Sequence, residues 1–111
     1  MSEYYRSEDL KKFGQIGRHG KAQAESFFTY YNQITGQDGA LTRREKSLIA
    51  LAISHAQKCP YCIDAYTTAC LETGSNPEQM MEAVHVAAAM QAGITLVHSV
   101  QMQNKLEQMV L

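Results

Sequence analysis

The sequence predicts an all-α fold, and three observations carry that expectation. Apolar residues return at spacings of three and four through most of the chain. Helix start signals recur at Thr42…Glu45, Cys59-Pro60 and Asn76-Pro77…Gln79, each a capping residue followed by a proline or by a glutamate or glutamine three positions on. No stretch shows the strict alternation of a half-buried strand. At 111 residues the chain is expected to form a single domain, 1–111, of about six helices.

Ser7 is a candidate N-cap for a short helix with Leu10, Phe13 and Ile16 on one side. Tyr4 and Tyr5 precede it as residues that can pack on a neighbour, and Gly17 and Gly20 bracket the loop that follows. A second helix is expected over 21–34, with Ala24, Phe27, Phe28, Tyr31 and Ile34 as its apolar stripe. Residues 36–39 read as a turn. The Thr42-Arg-Arg-Glu45 capping box opens a third helix that runs to about Gln57. Leu48, Ile49, Leu51, Ala52, Ile53 and Ala56 cover most of its circumference, which places it centrally. Pro60 stops that helix and suits the first position of the next, with Cys59 as its N-cap. This fourth helix is expected to run to about Thr73 and end at Gly74. A fifth starts at Asn76-Pro77, and Gly93 is expected to separate it from a last helix over about 94–108. Small residues such as Ala83, Ala87 and Ala88 permit close helix contact. The apolar content of so short a chain points to burial between subunits of a homo-oligomer.

The net charge is -1 and charged residues make up 19%, which gives no electrostatic case for nucleic acid or an anionic membrane as the main partner. A hydrophobic content of 45% is ample for a folded core and argues against disorder. No apolar run is expected to reach spanning length. The opening residues Met-Ser-Glu-Tyr-Tyr-Arg carry no apolar signal segment, so a cytoplasmic location is expected. Three cysteines are too few for a disulfide scaffold, and in a reducing compartment Cys-x-x-Cys reads as redox-active or metal-binding.

The chemistry therefore centres on Cys59-Pro-Tyr-Cys62. At i and i+3 of a first helical turn both sulfurs point to one side, so one thiol can attack an oxidant and the other can resolve the sulfenic acid to a disulfide. A helix N-terminus favours a thiolate, and its cap position makes Cys59 the more thiolate-like of the two. The competing readings are two inert buried cysteines and a zinc site. Zinc needs about four ligands, and only His55, Cys70 and more distant histidines remain. The redox reading leads, and it calls for no bound cofactor.

His55, four residues before Cys59, can accept a thiol proton or can simply complement the end of its helix. Tyr66, one turn after Cys62, can hydrogen-bond a thiolate or a peroxide, or can be an aromatic core residue. Glu45 is either the capping-box carboxylate or a proton acceptor for the thiols. Tyr61 can shield the motif, Asp64 can complement the helix dipole, and Cys70 reads as core.

At Arg44-Glu45, Leu48-Ile49-Ala50-Leu51-Ala52 and Cys59-Pro-Tyr-Cys62-Ile-Asp-Ala, the sequence resembles the carboxymuconolactone decarboxylase-like superfamily and, within it, the alkyl hydroperoxidase D-like branch. The similarity covers roughly residues 22–107. The whole chain looks closest to a peroxidase-like subgroup associated with arsenosugar biosynthesis. The resemblance implies an alkyl hydroperoxidase D-like helical domain, assembly into trimers or hexamers, and thiol-dependent reduction of small hydroperoxides with an external dithiol or thiol as reductant. It also implies that the second cysteine, Cys62, attacks and Cys59 resolves, the reverse of the cap argument, so the order stays open at this stage. Two positions depart from the family pattern: Tyr66 stands where the motif continues to a histidine, and Ser47 stands where a relay glutamate is usual. Two other functions compete. One is a redox-sensing or interaction protein without efficient turnover. The other is a cofactor-free decarboxylase of a lactone acid, against which the Cys-x-x-Cys motif and the lack of a nearby Arg/His set both argue.

Overall fold

The computed structural model describes residues 5–109 and bears out the all-α expectation. A 3-10 helix spans Ser7–His19, and five α-helices follow: α1 (Lys21–Thr35), α2 (Arg43–Ala56), α3 (Pro60–Glu72), α4 (Pro77–Val97) and α5 (Ser99–Gln108). No strand occurs among the described residues.

Helix α2 is the centre of the fold, packing along α3 on one side and α4 on the other. Its start is the predicted capping box: the Glu45 N–H donates to the Thr42 hydroxyl at 3.1 Å, and the Thr42 N–H donates to the Glu45 carboxylate at 2.9 Å. Leu51 on α2 and Cys70 on α3 are almost fully buried. Helix α4 opens on a second box, with reciprocal bonds between Asn76 and Gln79 and Pro77 in the first turn.

Two connections share one geometry. After α2, the Cys59 N–H reaches back to the Ser54 carbonyl at 3.0 Å and the Lys58 N–H to His55 at 3.2 Å. After α3, the Ser75 N–H reaches Cys70 at 2.9 Å and the Gly74 N–H reaches Leu71 at 3.2 Å. Both are six-to-one and five-to-two pairs of a Schellman cap, which needs a left-handed residue just past the helix. Gly74 supplies it at φ 97° and Lys58 at φ 55°.

Three boundary signals differ from expectation. Gly17 does not open a loop: it lies inside the 3-10 helix, where a side chain would meet the Ala24 Cβ at 2.8 Å, so its role is close approach to α1. Nor does Ser7 act as a cap by side chain. Gly93 does not end a helix either. Helix α4 runs through it to Val97, and the only interruption before α5 is at His98, whose backbone stays in the helical region. One glycine among good helix formers weakens a helix by about 1 kcal/mol without breaking it.

The result is a near-continuous helical rod over Pro77–Gln108, 32 residues, containing a stretch of mean hydropathy 1.4. By length and composition it suffices to cross a membrane, which corrects the expectation that no run reaches that length. No residue of α4 or α5 is buried. The radius of gyration is 19.0 Å, against about 13 Å for a compact domain of this length. The core within the chain is small, and the apolar faces of α1, α2 and the rod stand open at Phe27, Ile34, Ile49, Ile53, Met90 and Val97.

Candidate active site

Cys59 and Cys62 come together where α2 hands over to α3. Pro60 occupies the first turn of α3, and the extended backbone of Cys59 makes it the N-cap, as the sequence predicts. Its sulfur takes the place of a capping oxygen: the Cys62 N–H donates to Cys59 Sγ at 3.3 Å. The two sulfurs lie 2.7 Å apart, share a hydrogen bond, and are free thiols.

Their environments push them apart. The Cys62 thiol and the Cys62 N–H, both hydrogen-bonded to the Cys59 sulfur, lower the Cys59 thiol below the ordinary cysteine value. Burial, together with the hydrogen bond to Cys59, raises Cys62 to about 11. One thiol is thus set to ionise early while the other keeps its proton. The interior Cys70 is raised by burial and stays a core residue, as expected.

The thiols open on a largely apolar cleft of about 370 Å³. One wall is the start of α3, with Cys59, Cys62, Ala65 and Tyr66. The other is the 3-10 helix, with Leu10, Phe13 and Ile16, and Tyr31 of α1 also lines the cleft. Thirteen residues is a long run for a 3-10 helix, since such runs rarely exceed about four. This one is held by contacts from outside. The Tyr5 hydroxyl donates to the Asp64 carboxylate at 2.6 Å, and the Ser7 hydroxyl donates to the same oxygen. The two hydroxyls lower the Asp64 carboxyl from its ordinary range. The Tyr5 ring meets Tyr61 edge-on at 4.9 Å, and Phe13 meets Phe28 edge-on at 5.0 Å. Tyr4 lies outside the described residues.

The five site residues expected from sequence divide. Cys59, Cys62 and Tyr66 line the cleft. His55 does not: its Nδ1 is paired with the Leu51 carbonyl at 2.9 Å within α2, the helix-end role. Glu45 is in the first turn of α2, so the rest of the helix, roughly 17 Å at 1.5 Å per residue, separates it from the motif end. Its carboxylate is exposed and committed to the cap, whose Thr42 N–H lowers it. The proton-acceptor reading of Glu45 is therefore corrected within this chain, and the capping reading stands.

Asp64 was expected to complement the α3 dipole, but it lies beyond the first turn and clasps the 3-10 helix instead. From the sequence Tyr31 reads only as part of an apolar stripe. In the structure its hydroxyl is hydrogen-bonded to that of Tyr66. No short-range pattern marks that pair, because 35 positions separate its members. Among the described residues no three His, Cys, Asp or Glu side chains gather in a metal-binding group, so the zinc reading finds no ligand set around these thiols.

A helical hairpin with a Cys-x-x-Cys pair at its turn defines the class of protein, and the comparisons place it. The model of the carboxymuconolactone decarboxylase family matches residues 22–104, and the chain belongs to that family. It is also similar to a protein of Paracoccus denitrificans described as uncharacterized protein 4 in the cox locus. The two are 38% identical over 86 residues, covering 78% of this chain and 77% of the relative. No solved structure matches the chain.

Proposed function

We propose that the protein is a thiol-dependent peroxidase-like oxidoreductase that works through Cys59 and Cys62. The observation that supports this best is the paired environment of the two free thiols: sulfurs 2.7 Å apart, one lowered and one raised, at the mouth of an apolar cleft. The Cys59 thiolate attacks one oxygen of a small hydroperoxide. An S–O bond forms, the O–O bond breaks, and the other oxygen leaves and is protonated to an alcohol or water. Cys62 then gives up its proton and attacks the sulfenic sulfur, closing the disulfide and releasing the second oxygen as water. An external dithiol reopens the pair by two thiol–disulfide exchanges and is itself oxidised to a disulfide.

The order Cys59 then Cys62 follows the cap geometry and reverses what the resemblance implies. Family membership supports enzymatic chemistry in general, since the family name describes a decarboxylase. The cleft offers little for that reaction: among the described residues its one basic side chain, Lys12, is paired with Asp9 at 3.1 Å. The proposed assembly is a homo-oligomer, a trimer or hexamer, in the cytoplasm, with the open faces of α1, α2, α4 and α5 covered by other copies.

The test is peroxide consumption with a dithiol in excess, with disulfide mapping after one equivalent of peroxide. Many turnovers through a Cys59–Cys62 disulfide support the enzyme. Consumption of about one equivalent followed by a stable change of state would make it a redox sensor. Thiols that stay reduced would overturn both.

A further inference from the structure

The hydroxyls of Tyr31 and Tyr66 form a hydrogen-bonded pair inside the cleft that holds the thiols. Two hydroxyls carry two protons, and a single shared hydrogen bond uses one of them. The second O–H has no partner among the described residues and belongs to a side chain lining the space where an oxidant must sit. The pair is held on both sides. Tyr66 is one turn beyond Cys62 on α3, and the Tyr31 ring packs between Phe13 at 6.1 Å and Phe27 at 5.4 Å. Burial first, and then the bond to Tyr31, raise Tyr66 well above the ordinary tyrosine range, so its proton stays in place. With Tyr66 as donor to the Tyr31 oxygen, the Tyr31 O–H is the one free to turn into the cleft.

We propose that Tyr31 is a catalytic residue that protonates the oxygen leaving the peroxide, with Tyr66 as the positioning residue that steadies the resulting phenolate. The inference rests on the thiol peroxidase reading and deepens it. Phenols are more acidic than water or alkanols by several powers of ten, so transfer to a departing alkoxide is downhill. The steps balance. The Cys59 thiolate takes one peroxide oxygen and becomes a sulfenic acid, the leaving alkoxide takes the Tyr31 proton and departs as alcohol, and Tyr31 is left as phenolate. That phenolate takes the Cys62 thiol proton, and the Cys62 thiolate displaces hydroxide from the sulfenic sulfur. The hydroxide combines with the proton released when Cys59 first ionised. The net reaction is two thiols and one hydroperoxide to one disulfide, one alcohol and one water.

The experiment compares two oxidants that differ in what their leaving group needs. tert-Butyl hydroperoxide expels an alkoxide, which needs a proton. Peracetic acid expels acetate, which does not. Rates of oxidation of the reduced protein are measured for Tyr31→Phe and Tyr66→Phe, with iodoacetamide alkylation of Cys59 as a control that needs no proton donor. Tyr31→Phe is expected to slow tert-butyl hydroperoxide at least ~10-fold, the low side of general acid catalysis, while peracetic acid and alkylation stay within about twofold. Tyr66→Phe is expected to show the same selectivity with a smaller loss. The proposal is overturned if both oxidants slow equally, which indicates a structural role, if neither slows, or if Tyr66→Phe loses more than Tyr31→Phe. A wild-type protein inert to both oxidants brings down the thiol reading itself, and the role of Tyr31 with it.

Discussion

The α2–α3 hairpin and the α4–α5 rod are built from similar helices and treat their apolar residues in opposite ways. The hairpin has the two most deeply buried apolar side chains, Leu51 and Cys70, and its helix ends are tied by side-chain caps and Schellman bonds. The rod has half-buried residues where α4 meets α2 but none that is fully buried, and Met90 and Val97 are both 62% exposed. The hairpin's own contacts are sufficient to hold two thiols in register. Within the chain the rod is met along α4 by α2, and the apolar surface left over, at Met90, Ile94 and Val97 among others, stands open. The difference separates local structure, which fixes the site, from the open apolar surface, which the proposed assembly would cover.

The largest effect should come from charging the rod. The double substitution Met90→Glu, Val97→Glu puts two carboxylates on surface that, on this account, other copies cover. Sedimentation at micromolar concentration should show an assembly for the wild type and a monomer for the variant, with a fall in melting temperature. A wild type that sediments as a monomer breaks the comparison, and flotation with lipid vesicles then decides whether the rod is covered by a bilayer. Within the hairpin, Leu51→Ala should destabilise by about 2–5 kcal/mol, the range for large-to-small changes in a packed core. Chemical denaturation measures it. A loss below about 1 kcal/mol would show that the hairpin is packed no better than the rod.

What the sequence made legible follows the reach of each interaction. Both capping boxes, Pro60 and Pro77, and the meeting of Cys59 with Cys62 depend on residues three apart or fewer, and all were readable. The clasp of Tyr5 and Ser7 on Asp64 joins positions 59 and 57 residues apart, and the Tyr31–Tyr66 pair joins positions 35 apart. Neither leaves a periodic trace, so Tyr31 read only as an apolar position and the 3-10 helix only as a short helix and loop. Gly93 misled for another reason: the helical preference of its Ala- and Met-rich flanks outweighs one glycine, and the length of the rod was hidden with it.

The two thiols offer a pH test of the hairpin's asymmetry. Iodoacetamide reacts with thiolate, so a lowered pKa moves reactivity to lower pH and a raised one delays it. Cys59 should label first at pH 7–8, with its half-maximal rate below that of a free cysteine, and Cys62 should become comparable only as pH approaches about 11. Peptide mapping after sub-stoichiometric labelling reads this directly. First labelling at Cys62 near neutral pH would transfer the attacking role to Cys62.

The smallest effect contrasts the two ends of the hairpin's second connection with its first. Gly74 and Lys58 hold the same left-handed position of the same cap. Glycine accepts that conformation freely, whereas a residue with a Cβ is strained there by roughly 1–2 kcal/mol. Lys58→Gly should relieve part of that strain, offset by the greater freedom glycine gives the unfolded chain, for a net gain below about 1 kcal/mol. The cap's backbone bonds do not involve the lysine side chain, so the Cys59 labelling profile should stay in place. A rise in stability with unchanged labelling would mean that the strain beside Cys59 is incidental to the thiols. A shift of the labelling profile would mean that Lys58, rather than the cap geometry alone, sets the ionisation of its neighbour.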